Sequence, residues 1–338
     1  MGNFLDTPIT EKESSIGEDA RTGLSYGVSA MQGWRAQMED DHVHMLGLPN
    51  APDISLFGVY DGHGGDLVAH YVAKNFPRHL EATNLMMCDS SKDDFMQKSK
   101  EAFEAALMSI DAELRALPEV ESGQDQSGST SVMTLVSPKH IICANTGDSR
   151  AVLSRDGTAV PLSHDHKPFN AGEKERIEMA GGSVKFNRVN GDLAVSRALG
   201  DFVYKRCSDV NAEDQAVTAF PEMIMENRQG SDEFIVLACD GIWDVMTSQD
   251  VVDKVRNMLL NGRPKETVAS EESMGSDQAA DTENAPAAPP RPWDLAAVCE
   301  TLIDQCLQLG SRDNMSVIIV TLQPAFKPKP EHGSSNGS

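Results

Sequence analysis

The sequence predicts an α+β fold, largely antiparallel sheet with helices on the outside. Three observations carry this expectation. Short apolar runs rich in β-branched and aromatic residues recur along the 338 residues. Longer segments of helical periodicity lie between them. Neighbouring strand-like runs also sit close enough to pair as hairpins, as in "MTLVSPKHIICA" around a Ser-Pro turn.

Taken in order, residues 1–20 are polar and aperiodic and read as a flexible N-terminal tail. Gly2 in "MGNFLDT" meets the first requirement of N-myristoylation, although Asp6 stands where Ser or Thr is expected and Thr7 comes one place late. A single acyl chain anchors only marginally. Strands are expected over 54–60, 129–136, 139–145, 150–154, 234–239 and 315–322, and helices over 66–80, 93–116, 170–180, 248–260 and 293–309. Thr247 and Asp250 in "TSQD" form a variant capping box ahead of "VVDKVRNMLL", and Gly181 in "IEMAGG" ends the preceding helix. Residues 263–292 are acidic, rich in Ala, Pro and Ser and almost free of large apolar side chains, which predicts a disordered insert within one domain over 21–325. Residues 326–338 are expected to be a flexible C-terminal tail.

Apolar content of 40% and charged content of 24% suit a soluble globular chain. The net charge of −23 argues against a nucleic-acid partner, because phosphates would be repelled. No apolar stretch approaches membrane-spanning length and no leader pattern opens the chain, so a soluble monomer that is neither membrane-spanning nor secreted is expected. The six cysteines (Cys88, Cys143, Cys207, Cys239, Cys299 and Cys306) show no zinc spacing and read as reduced thiols of a cytoplasmic or nuclear protein.

Carboxylates recur where apolar runs end. "ISLFGVYDGHGG" places Asp61 at a strand end among glycines; alone, this stretch is most simply a tight turn with an Asp cap. "FIVLACDGIWD" does the same at Asp240, "ICANTGDSRAVL" at Asp148, and "GSRDNMSVIIV" sets Asp313 and Asn314 just before a strand. "GWRAQMEDDH" adds Glu39, Asp40 and Asp41 together with Arg35. Carboxylates that converge repel one another unless cations neutralise them, and hard divalent cations take all-oxygen ligand sets.

The blocks "GWRAQMED", "YDGHGG", "NTGDSRAVL", "LAVSRALGD", "ACDGIWD" and "SRDNMSVIIV" resemble the signature blocks of the type 2C metal-dependent Ser/Thr protein phosphatases, from about Leu24 to Leu322. The resemblance implies a sandwich of two antiparallel β-sheets flanked by α-helices. It also implies a centre for two Mg²⁺ or Mn²⁺ ions and a weaker third. Asp61 resembles the bridging ligand and the Gly62 carbonyl a ligand of the first metal. Asp240 and Asp313 resemble ligands of the second, Glu39 and Asp40 partners of metal-bound water, and Asp148 with Asp240 the third site. Arg35 matches the phosphate-binding arginine and His63 the proposed general acid, while Asn314 orients the centre.

The expected activity is hydrolysis of phosphoserine and phosphothreonine in proteins by a metal-bridging hydroxide, with no covalent intermediate. Two other classes fit the fold. A pseudophosphatase would lack a ligand among Asp61, Asp240 and Asp313, and all three are present. A non-catalytic cation-binding module would not need Arg35 and His63. Cys143 and Arg150 have the wrong spacing for a cysteine phosphatase loop, so Cys143 is expected to be a core thiol and Cys239 likewise. "HDHKP" (164–168) reads as a polar loop near the rim, and Trp34, Trp243 and Trp293 as core or rim aromatics.

Overall fold

The run Phe234-Ile235-Val236-Leu237-Ala238 shows how the architecture is built. Successive side chains on a strand point to opposite faces. Ile235 and Leu237 face a core shared by two sheets, whereas Phe234, Val236 and Ala238 face a core shared with helices. Both faces are buried, so the strand reads as one continuous apolar run.

The computed structural model describes residues 4–261 and 294–322, except 84, 86, 87, 91 and 93. In chain order the principal strands are β1 (Phe4–Asp19), β2 (Leu24–Arg35), β3 (Asp41–Met45), β4 (Ser55–Tyr60), β5 (Ser131–Val136), β6 (His140–Thr146), β7 (Arg150–Arg155), β8 (Thr158–Pro161), β9 (Glu222–Asn227), β10 (Asp232–Ala238) and β11 (Met315–Thr321). The helices are α1 (Leu67–Glu81), α2 (Phe95–Arg115), α3 (Pro118–Glu121), α4 (Ala171–Met179), α5 (Asp240–Trp243), α6 (Ser248–Asn261) and α7 (Leu295–Gln308).

One sheet has six strands in the order β1-β2-β11-β10-β7-β8, and the other has five in the order β9-β6-β5-β4-β3. Every neighbouring pair in both is antiparallel. Between the sheets pack Val28, Phe57, Val132, Cys143, Leu237 and Ile318. Helices α1 and α2 bury Val72, Phe76, Phe103 and Ile110 against the outer face of the five-stranded sheet. Helices α6 and α7 bury Val251, Val255, Val298 and Leu302 against the six-stranded one. The expected sandwich is therefore present, and the six strands and five helices anticipated above all form.

Local signals behave as their chemistry requires. The Thr247 N–H donates to Asp250 Oδ2 at 3.1 Å, and the Asp250 N–H donates back to Thr247 Oγ1 at 3.2 Å, which completes the capping box. Ser137-Pro138 closes the β5–β6 hairpin, with the Ser137 N–H donating to the His140 carbonyl at 2.9 Å.

The N-terminal expectation needs correction. Phe4–Asp19 is not a free tail but the edge strand β1, paired antiparallel with β2 from Phe4↔Arg35 to Asp19↔Leu24 through two register shifts. An edge strand can be held by its backbone ladder with one partner and need bury little, so it carries no apolar period to read. The expected acidic insert (263–292), the C-terminal tail (326–338), Gly2 and Trp293 lie outside the described residues.

Candidate metal centre

Four strand ends and one loop deliver the acidic residues. β4 ends at Tyr60 and hands on to Asp61, and β10 ends at Ala238 before Cys239 and Asp240, the first residue of α5. Asp313 and Asn314 precede β11, Asp148 lies in the β6–β7 turn, and Glu39 and Asp40 lie between β2 and β3.

Asn314 ties these segments together. Its Oδ1 accepts from the Glu39 N–H at 3.0 Å, and its Nδ2 donates to the carbonyls of Gln32 (2.8 Å) and Gln37 (3.0 Å). Ser316 Oγ donates to Asp40 Oδ2 at 2.7 Å. Gly62 lets two segments approach closely: a Cβ there would stand 2.1 Å from the Glu39 carbonyl oxygen. The third acid of the triplet does not join. Asp41 accepts from the His42 N–H at 2.6 Å and lies 3.9 Å from His70.

Electrostatically the cluster is unbalanced. Burial first, then the charges of Asp240, Asp40, Asp148 and Asp313, hold the Asp61 carboxyl well above the usual range. Asp240 is raised in the same way by burial and by Asp148, Asp313 and Asp244. Burial pushes Asp40 up to about 7, although hydrogen bonds from Ser316 and Cys239 oppose it. Arg35 Nη2 meets Asp313 Oδ2 at 2.5 Å, and Lys167 Nζ meets Asp148 Oδ2 at 2.5 Å. Among the described residues, no Lys or Arg forms an ion pair with Asp40, Asp61 or Asp240.

This donor set fits hard divalent cations. Donor atoms of Asp40, Asp61 and Cys239 lie within 4.8 Å of one another. Burial, reinforced by Asp40 and Asp61, raises the Cys239 thiol far above its ordinary range, so the sulfur stays protonated and the useful donors are oxygens. Without cations, buried carboxylates this close oppose one another's ionisation.

His63 stands beside the cluster. Its Nε2 lies 2.7 Å from Asp201 Oδ2. Burial alone would lower the imidazole's basicity, but the Asp201 charge and hydrogen bond, helped by Asp148 and Glu39, outweigh it and raise it. Asp201 follows the short strand pair Leu199–Gly200 with Gly128–Ser129, which also pairs Gly62–His63. Sequence reasoning gave Asp201 no role, although it ends the quoted block "LAVSRALGD".

The "HDHKP" loop also does more than border the site. The His166 N–H donates to the Gly147 carbonyl at 2.9 Å, the Gly147 N–H donates to His166 Nδ1 at 3.2 Å, and Asp165 takes both arms of Arg150 at 2.9 Å. With Lys167 on Asp148, the loop braces the β6–β7 turn. Cys143 is wholly buried between the sheets, its thiol raised by burial and by Glu222. Trp243 is a core residue whose Nε1 donates to the Ala238 carbonyl at 2.8 Å.

Residues 24–315 match the family model described as protein phosphatase 2C. The chain belongs to the protein phosphatase 2C family. Among its relatives, human protein phosphatase 1B is 41% identical over 336 residues, covering 98% of this chain and 64% of that protein. The bovine protein of the same name is also 41% identical, and 63% of it is covered, so the chain spans somewhat under two thirds of both relatives' length. A probable protein phosphatase 2C of Caenorhabditis elegans is 42% identical over 334 residues, covering 97% of this chain and 82% of that protein. In fold, the chain resembles the crystal structure of a phosphatase from Toxoplasma gondii, with a TM-score of 0.69, 24% identity and coverage of 95% and 98% of the two chains. The protein phosphatase 2C fold is thus the α+β sandwich described above.

Proposed function

We propose that this chain is a metal-dependent protein serine/threonine phosphatase acting on phosphoserine and phosphothreonine in protein substrates. The observation that carries the reading is Arg35. One arm of its guanidinium meets Asp313, while its Nε is buried with no hydrogen-bond partner. A buried, unpartnered, permanently charged donor beside an acidic centre suits a phosphoryl oxygen.

Asp61, the Gly62 carbonyl, Asp240 and Asp313 would hold two Mg²⁺ or Mn²⁺ ions, with Glu39 and Asp40 reaching them through water and Asp148 with Asp240 serving a weaker third. Such cations supply charge neutralisation and an activated water at neutral pH. Arg35 grips the phosphoryl group and favours the charge that develops on it. His63, its basicity raised by Asp201, donates a proton to the departing serine or threonine oxygen. Cys143 and Cys239 are both buried and held protonated, which supports a route without a cysteinyl-phosphate intermediate.

The buried thiols of Cys143, Cys239, Cys299 and Cys306 support a reducing, cytoplasmic or nuclear setting, and among the described residues no helix is long and apolar enough to cross a membrane. Phosphate release from a phosphothreonine peptide, with Mn²⁺ and then with excess chelator, tests the activity. Release is expected only with the cation; release undiminished by the chelator from protein free of bound metal would overturn the reading.

A further inference from the structure

The rim of the centre carries a second cation with no carboxylate of its own. Arg312 is exposed and immediately precedes Asp313. Its guanidinium carbon lies 5.8 Å from the Phe4 ring centroid and 5.9 Å from that of Trp34. Nearby basic groups are engaged: Arg35 with Asp313, Lys167 with Asp148 and Arg150 with Asp165. Among the described residues, no ion pair or hydrogen bond involves the Arg312 side chain. Aromatic faces restrict a guanidinium without consuming its N–H donors, so its planar fork stays free for an anion.

Arg312 and Arg35 line the same cavity of about 200 Å³, with Phe4, Asp244, Val245 and Asp313 among its other walls. The register explains why: β1 begins with Phe4 opposite Arg35, which carries the N-terminal strand to the rim. Asp244 also faces this cavity, so the positive charge is local to the side formed by Phe4 and Trp34.

We infer that Arg312, seated between Phe4 and Trp34, is a specificity residue that binds an anionic side chain flanking the phosphoresidue of the substrate. The inference rests on the phosphatase reading above and adds what the substrate should look like. In a chain of net charge −23, most of the surface repels such a substrate, and an unpaired arginine beside Arg35 gives its acidic neighbour a place to land. The shared chemistry is a carboxylate or a second phosphate, either of which a guanidinium takes bidentately.

The test compares phosphothreonine peptides that differ at one flanking position at a time, carrying alanine, glutamate, phosphoserine or lysine, with kcat and KM measured in Mn²⁺. For wild type, kcat/KM for the glutamate or phosphoserine peptide should exceed that for alanine by about three- to tenfold at one or more positions, mostly through KM. In Arg312→Gln that ratio should fall to about one, while Arg312→Lys keeps part of it. A preference for both anions identifies charge as the feature read, and a preference for phosphoserine alone identifies a phosphate. Wild type that hydrolyses every peptide equally, or an Arg312→Gln protein with the ratio intact, overturns the subsite and leaves the phosphatase reading standing. No hydrolysis of any peptide overturns both.

Discussion

His63 Nε2 and Asp201 Oδ2 lie 2.7 Å apart although 138 positions separate them in the chain. The pair joins the turn carrying Asp61 to the segment after Gly200 and raises the basicity of the imidazole proposed above as proton donor.

If His63 protonates the leaving group, its importance depends on how badly that group needs the proton. With phosphoserine or phosphothreonine peptides, His63→Gln should lower kcat by about 10²- to 10⁴-fold. With an aryl phosphate, whose phenolate departs unaided, the loss should be far smaller. Rates across leaving groups of graded basicity check this, and equal losses would show that His63 only shapes the turn.

Asp201→Asn should return His63 toward its ordinary value of 6.5. The high-pH limb of kcat would then move to lower pH. In stability the sign follows from a raised folded value: the Asp201 pairing contributes fully below the unfolded value and fades as pH rises through the folded one. The melting difference between wild type and Asp201→Asn should therefore be larger at pH 6 than at pH 9.

The buried carboxylates act in the same direction without metal, and metal reverses them. Asp40 rises from 3.8 to about 7, so the metal-free fold binds protons that the unfolded chain does not. Without metal, stability should increase as pH falls from 7 toward 4, by up to about 4 kcal/mol from this group. Excess Mg²⁺ should reverse the trend, because ligands must be ionised to bind it. Asp61→Asn and Asp240→Asn should each abolish turnover yet raise the metal-free melting temperature by about 2–6 °C. Calorimetry with and without chelator reads both effects.

Removing residues 1–20 should uncover the edge of β2. The truncated chain should melt several degrees lower and self-associate on size exclusion, because a long buried strand would expose unpaired backbone groups. A truncation with the oligomeric state and melting temperature of the intact chain would show that β1 contributes little.

What could be read in advance follows from how the sheets are buried. Strands covered on both faces, such as β10 and β11, are unbroken apolar runs, and Asp240 and Asp313 stand out at their ends. β2 was harder because it contains small residues where α7 lies close: a Cβ on Gly27 would stand 2.3 Å from the Leu295 backbone. β1 was misread because pairing with β2, and not side-chain burial, holds it. Asp201 and Lys167 were missed for another reason. Their partners are distant in sequence, 138 positions for His63 and 19 for Asp148, and no local spacing expresses such a contact.

The position of the acidic cluster across the sandwich has a mechanical consequence. Asp61 follows a strand of the five-stranded sheet, whereas Asp240 follows and Asp313 precedes strands of the six-stranded one. Ions shared among them would clasp the two sheets at that end, and bare carboxylates would push the same ends apart. Amide protons beside Tyr60 and Ala238 should therefore exchange with solvent faster in chelator than in Mg²⁺, while those near Ser55 and Phe234, at the opposite ends of the same strands, change little. Cation activity would then govern how tightly one end of the sandwich is shut, and access to the acidic cluster would rise and fall with it.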